Sequence, residues 1–316
     1  MLNIKHILLA RDASPSAEAA LPFALTLAER TGAQLHVVFA EVLHGASFDP
    51  EGSPASAEKV MRTQTEQALE AHGSDASAID IAYAVVRGMA AAPALLDYAE
   101  DHDIDLIVMG THGRRGVRRF LMGSVAQEIV RLSACPVLTV HQSERQEYFD
   151  SILVPIDFSE HARKALQHAR ALGNLLGARL DLLHVVEDNI HPAFYGPTVQ
   201  SIYDIDPDLD EKALAHLKTF YEQTEGPDTE VTFAIRTGHP VHEIVQFAED
   251  ADCGLLVMGT HGLTGLERFF LGSVTEKVVR RASCPVFTIQ SFGTSLVSSQ
   301  PTSSTSSEAS VASAEG

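Results

Sequence analysis

Cysteine, basic charge and long apolar runs are what this sequence has little of. Its three cysteines, Cys135, Cys253 and Cys284, are odd in number and lack metal-ligand spacing, which argues against a disulfide framework and against a zinc site. They read as small buried hydrophobes. Lys and Arg total 23 against 42 Asp and Glu, a formal charge of −19, which argues against a nucleic-acid-binding or anionic-membrane surface. Any phosphate ligand has to be held by local groups. No stretch approaches the run of about 18 apolar residues that a membrane span needs. The opening MLNIKHILLARD turns polar at Arg11 and Asp12, too soon for a secretory signal, so a cytoplasmic protein is expected.

What is present is length and repetition. The 316 residues favour two domains, because single cores stop growing near that size. VMGTHGRRGVRRFLMGSV at 108 returns as VMGTHGLTGLERFFLGSV at 257, an offset of 149, and the 33 positions from Val108 to Val140 hold 18 identities with the second copy. ILLARDASPSAEAAL at 7 likewise matches ILVPIDFSEHARKAL at 152, an offset of 145. The chain is therefore a duplication, with domains expected at 1–146 and 147–291. The remaining 292–316 belongs to a Ser/Thr-rich stretch with few large apolar groups, whose composition predicts disorder.

Within each half, short β-rich apolar runs alternate with longer amphipathic stretches, the pattern of successive β-α-β units. Strands are predicted near 5–10, 34–41, 79–86, 104–109 and 136–140, and again near 151–156, 179–186, 229–235, 254–258 and 285–290. Helices in the second half fall near 160–176, 210–225, 240–251 and 272–282. The fold class is α/β, with parallel sheets covered on both faces.

Ligands of open parallel sheets bind beyond the carboxyl ends of the strands, where strand order reverses. The loops after the first and fourth strands are the candidates. Asp12 and Asp157 close the first strand of each half, where a carboxylate can accept hydrogen bonds from a ribose or a base. After the fourth strand, GTHG turns the chain with residues that allow a close approach to the main chain. A helix then starts near Gly272 and Ser273, or Gly123 and Ser124. Ser273 with Glu276, and Ser124 with Gln127, fit the capping-box spacing, and the amides of Gly272, Ser273 and Val274 are expected to face a phosphate. Taken alone, a cap serine and a turn glycine are ordinary structure; their place in the sheet makes them a site.

G-x-x-G-x9-G-S after a strand, VPID after the first strand and a closing CPV strand together resemble the universal stress protein family, here as a tandem pair over about residues 1–291. The resemblance implies two Rossmann-like domains, each a five-stranded parallel sheet of order 3-2-1-4-5, binding ATP in many members and nothing obvious in others. Carried over, Pro155, Asp157, Val185 and Met258 would line adenine and ribose, and Gly259, His261, Gly262, Gly272, Ser273 and Val274 would hold ribose and phosphates. Their counterparts in the first half are Asp12, Ala40, Met109, Gly110, His112, Gly113, Gly123, Ser124 and Val125. A magnesium ion is a common companion of a triphosphate, with Asp157 a remote candidate ligand. Walker A and dinucleotide glycine signatures are absent.

The halves differ. LARD replaces VPID in the first, so Arg11 either obstructs the adenine wall or points to solvent, and Arg114, Arg115, Arg118 and Arg119 in its glycine loop either grip phosphates or form a solvated or inter-domain charge face. The second half is expected to be the better ATP site. Neither half carries a recognisable catalytic constellation; His112 and His261 adjoin the glycines, and His184 on its apolar strand reads as a satisfied core histidine. Three functions stay open: an ATP-binding regulatory protein in a stress response or transporter regulation, a slow ATPase or nucleotide-dependent enzyme, and an interaction module without nucleotide. The closing strands CPVLTV and CPVFTI lie at sheet edges that need covering, and the halves are expected to pair there with pseudo-two-fold symmetry. A homo-oligomer and an unknown regulatory protein partner are further expectations that no residue pins down.

Overall fold

The structure, a computed structural model, describes residues 2–12, 14–43, 54–72, 79–111, 122–141, 149–187, 206–262, 271–290 and 292–297. The first half runs β1 (His6–Arg11), α1 (Pro15–Thr31), β2 (Gln34–Val42), α2 (Pro54–His72), β3 (Ile81–Gly88), α3 (Ala91–Asp101), β4 (Leu106–Gly110), α4 (Ser124–Leu132) and β5 (Val137–Val140). The second repeats it as β6 (Ser151–Pro155), α5 (Glu160–Leu176), β7 (Arg179–Val186), α6 (Leu209–Glu222), β8 (Val231–Thr237), α7 (Pro240–Asp250), β9 (Leu255–Gly259), α8 (Ser273–Arg281) and β10 (Val286–Ile289).

Local chemistry sets the helix ends. Ser14 and Ser159 cap α1 and α5 by accepting from the amides of Ala17 and Ala162, which satisfies donors that a helix start leaves open. Gly32 and Gly177 close the same helices with φ of 70° and 74°, a left-handed turn that suits residues without a Cβ. The central strands β1, β4, β5, β6, β9 and β10 are buried on both faces, as parallel strands between helix layers must be, whereas the edge strands β3 and β8 are only half-buried.

Each half has the strand order 3-2-1-4-5 that the resemblance implied, and the two sheets join into one of ten strands, β3-β2-β1-β4-β5-β10-β9-β6-β7-β8. All pairs within a half are parallel, whereas β5 and β10 pair antiparallel. Their register sets Leu138 opposite Phe287, which are the same position of the two copies. The flanking bonds repeat this symmetry: Thr139 Oγ1 donates to the Val286 carbonyl at 3.2 Å and Thr288 Oγ1 to that of Val137 at 3.1 Å. One apolar layer lies under α1, α2, α5 and α6 and the other under α3, α4, α7 and α8, and each is continuous across the junction.

The segment after β10 departs from its composition. Leu296 is buried in the first layer, its carbonyl accepts from the Asn3 amide at 2.8 Å, and Val297 bridges Leu2. Residues 292–297 are thus a strap across both halves, anchored also where the Thr294 amide donates to the Ala134 carbonyl at 2.9 Å. Leu296, one of three apolar side chains in the strap FGTSLV, found a core to enter. The rest of the Ser/Thr-rich tail lies outside the described residues.

Candidate functional site

At the carboxyl end of β6, Asp157 is held by the residue that starts the next helix. Its Oδ1 accepts from the Ser159 amide at 3.0 Å and the Ser159 hydroxyl at 2.6 Å. Its Oδ2 is turned toward Gly262, where a Cβ would stand 2.6 Å from it. At the end of β9, a Cβ on Gly259 would stand 3.2 Å from His161 and from the His261 carbonyl. Residues 259–262 at the start of the glycine loop are therefore folded against the first turn of α5, and any side chain at Gly262 would occupy the space beside the carboxylate.

The helix mouth is built differently from the capping-box expectation. The N-caps of α4 and α8 are Gly123 and Gly272, with no side-chain cap bond, so Ser124 and Ser273 are the first helical residues and both are exposed. The Gly272 amide donates to the Thr260 carbonyl at 2.8 Å and that of Gly123 to Thr111 at 2.7 Å, so neither faces a ligand. Thr275, unremarked in the sequence, ties α8 to the strand end through its hydroxyl, which donates to the Gly259 carbonyl at 2.9 Å. What remains at the mouth are the next amides of the first turn, including those of Ser273 and Val274, with an exposed hydroxyl, a dipole end suited to an anion. Glu276 instead accepts from Gln127 of the other half at 3.2 Å and from Arg280 at 2.8 Å.

Pro155 ends β6, Met258 is buried one residue before Gly259, and Val185 is half-buried at the end of β7. Val185 also edges a cavity of about 400 Å³ with Phe158, His184, Leu209 and His216. Phe158 has φ of 63°, unusual for a bulky residue, and stacks on His216 with ring centroids 4.0 Å apart. His184 is satisfied, as read, by a 2.7 Å bond to the Ile156 carbonyl, yet it also walls this cavity. Burial, reinforced by nearby His261, lowers the pKa of His161, so its imidazole is neutral at neutral pH. Sequence reasoning missed Phe158, His161 and His216; the only signal was that Phe158 and His161 lie beside Asp157 and Ser159 in the matched block.

The first half repeats the frame. Asp12 Oδ1 accepts from the Ser14 amide at 3.0 Å, Met109 is buried, Ala40 and Val125 are half-buried, and a Cβ on Gly110 would meet Ser16 at 2.5 Å. Arg11 does neither thing expected of it. It is buried under α1 and α2, paired with Glu18 and donating to Thr65 Oγ1 at 3.3 Å. His112, Gly113 and the arginines at 114, 115, 118 and 119 lie outside the described residues.

The family model described as the universal stress protein family matches residues 3–141 and again 149–290. The chain belongs to the universal stress protein family. Universal stress protein MJ0577 of Methanocaldococcus jannaschii is 32% identical over 154 residues, which are 45% of this chain and 95% of that protein. A universal stress protein of Mycolicibacterium smegmatis is 28% identical over 210 residues, 65% of this chain and 67% of its own. The crystal structure of a universal stress protein from Archaeoglobus fulgidus shares the fold over 90% of this chain and 98% of its own, with a TM-score of 0.62 at 24% identity. Both halves of this universal stress protein are thus family domains, and the crevice described above lies in the second matched segment. No helix among its described residues is long and apolar enough to cross a membrane.

Proposed function

We propose that this universal stress protein binds ATP at the carboxyl-end crevice of its second half and acts as a nucleotide-dependent regulatory module in the cytoplasm. The observation that carries this reading is the Asp157 carboxylate set against Gly262 at the mouth of α8. A hydroxyl-rich sugar is the ligand part that a fixed carboxylate recognises, and a phosphate is the part that a helix mouth recognises. A helix N-terminus contributes about 0.3 to 1 kcal/mol toward an anion, up to about 2 when partly buried, whereas micromolar affinity needs about 8 kcal/mol. Ribose contacts, burial of the base and several amides therefore act together. Pro155, Val185 and Met258 are the residues for the base, Asp157 for the ribose, and Gly262, His261, Ser273 and Val274 for the phosphates.

Magnesium is proposed to arrive with the triphosphate. Such an ion is held mainly by phosphate oxygens. The first half, with Asp12, Gly123 and Ser124 in the matching frame, is proposed as a weaker second site. The β5–β10 pairing makes the chain, on this reading, the intramolecular counterpart of a dimer whose two crevices share one sheet.

Calorimetric titration of ATP into the full chain tests the proposal. One dominant site is expected, weakened when EDTA removes magnesium. An absence of heat, with no nucleotide released from the native protein on denaturation, overturns it. Binding rather than turnover is the proposed activity. Phosphate release that disappears in His261→Ala moves the chain to the slow ATPases.

A further inference from the structure

We propose that Cys253 and Cys284 form a redox-convertible thiol pair in the second half, joined by a disulfide when a peroxide oxidises the protein. The two residues sit where the turns after α7 and α8 deliver the chain into the neighbouring strands β9 and β10. The Leu256 amide donates to the Pro285 carbonyl at 2.9 Å, and Leu256 and Val286 are register partners. Counting back along that register sets Cys284 opposite Gly254, one residue from Cys253. Strands roughly 4.8 Å apart with a rise of about 3.3 Å per residue then put the two cysteine Cα atoms about 6 Å apart, inside the about 4.4 to 6.8 Å that a disulfide requires. Both side chains enter the same apolar layer, and the two thiols share a hydrogen bond. The Cys253 thiol itself donates to the Leu255 carbonyl at 3.0 Å, so the proton between the sulfurs is that of Cys284 and the Cys253 sulfur is the acceptor.

The first half supplies the control. Cys135 occupies the place of Cys284, but Ile104 stands where Cys253 does. Cys135 contacts the Ser133 hydroxyl at 3.4 Å in place of a second thiol. Burial is the same for all three cysteines, and it pushes the Cys135 thiol up to about 11. Hydrogen bonding from Cys284 instead draws the Cys253 thiol below its ordinary value, which favours the thiolate, the form that reacts.

The chemistry balances with a peroxide as the oxidant. The Cys253 sulfur attacks the O–O bond of hydrogen peroxide, an S–O bond forms, and the displaced hydroxide takes the Cys253 proton as water. The Cys284 sulfur then attacks the Cys253 sulfur, forming the S–S bond and breaking the S–O bond, and its own proton leaves with the second oxygen as water. Two thiols are oxidised and one peroxide is reduced to two waters. The peroxide reaches the pair when the turns at 251–254 and 282–285 open. The bond closes a loop of about 30 residues that holds β9, the glycine loop and α8, so it staples both ends of the candidate phosphate-binding segment.

The test is exposure of the full chain to hydrogen peroxide, followed by alkylation under denaturing conditions and peptide mapping. Met89, 83% exposed, reports the dose by its conversion to sulfoxide. Once Met89 is oxidised, the expected chain carries a single alkylatable thiol, at Cys135, and a Cys253–Cys284 linked peptide. Cys135→Ala is expected to form the same link, and Cys284→Ala none. The oxidised wild type is expected to melt at a higher temperature than Cys284→Ala treated alike. Three free thiols beside an oxidised Met89, a link that uses Cys135, or a sulfonic acid at Cys253 without a link overturns the proposal.

Discussion

The two halves of the molecule share a backbone and differ in what fills the space beneath the first-strand aspartate. In the second half Ile156 is buried there, Phe158 takes a left-handed turn, and an aromatic-walled cavity opens between β7 and α6. In the first half the residue matching Ile156 is Arg11, which fills the corresponding layer and reaches Glu18, Gln64 and Thr65. Both aspartates nevertheless keep the same bond to the serine amide two residues on. The frame of the site is thus set by main chain and caps, which duplication preserves. The pocket beside it is set by a few side chains that are free to diverge.

The junction is where the two copies are most alike, and breaking it has the largest expected effect. Phe287 and Leu138 face each other across β10 and β5 and are fully buried. Phe287→Ala is expected to cost about 3 to 5 kcal/mol and Leu138→Ala about 2 to 5, measured by urea unfolding. Because the residues touch, the double variant is expected to lose less than the sum. Next comes the difference itself. Arg11→Ala leaves a void and an unpaired Thr65 acceptor, at a cost of about 2 to 3 kcal/mol. Arg11→Ile, which copies the second half, is expected to cost less than Arg11→Ala, because it refills part of the void while Glu18, 43% exposed, is left to solvent. A third change bears on function. Gly262→Val sets a side chain against Asp157 Oδ2 and is expected to weaken ATP binding at least about tenfold, or 1.4 kcal/mol, with the melting temperature little altered. Unchanged affinity would move the site away from the second half.

Much of this was legible because the text is written twice. A run such as SILVP or LLVMG is apolar at nearly every position, so it marks a strand buried on both faces, and the repeat gave each strand a second reading. The place of the glycine loop followed from the repeat, and strand order from the family resemblance. The helix starts were less legible. Gly272 rather than Ser273 caps α8 because its amide is committed to the Thr260 carbonyl, a tertiary contact that a capping-box spacing does not encode. Arg11 lies two positions after Leu9 on one strand and so shares its face, a clue that the expectation of an adenine wall or solvent overlooked; its partners on α2 come from a helix far along the chain. The turn at Phe158 has no signature, since nothing in the residue type announces a positive φ. The strap at 292–297 was hidden by averaging, because the apolar residues of FGTSLV count for little in a tail otherwise dominated by serines and threonines.

The smallest effect expected is also the one that compares the halves most directly. Phe23 on α1 and His168 on α5 are the same position of the two copies, and each meets the segment that leaves its domain. Phe23 packs edge-on against Phe149, with ring centroids 5.2 Å apart. His168 instead donates from Nδ1 to the Lys164 carbonyl at 2.7 Å and accepts at Nε2 from the Leu296 amide at 3.2 Å. With one nitrogen a donor and the other an acceptor, the ring must be neutral. Burial, together with the nearby Lys164 charge, lowers its pKa from the ordinary 6.5, against the opposing pull of the Lys164 carbonyl. The unfolded chain therefore takes up a proton near pH 6.5 that the folded chain refuses. Stability held above that pH is lost as the pH falls through the unfolded value and stops falling below the lower folded one. His168→Phe, which copies the first half, is expected to flatten part of the stability profile on the acid side of pH 6.5. His36 and His161 shift in the same direction, so the flattening is partial. The variant also frees the Leu296 amide, and faster hydrogen exchange at Leu296 in wild type below pH 6 than at pH 8, after correction for the intrinsic rate, is the matching sign that protonation of His168 releases the strap. An unchanged protection of Leu296 across that range would assign the acid sensitivity to the other two histidines.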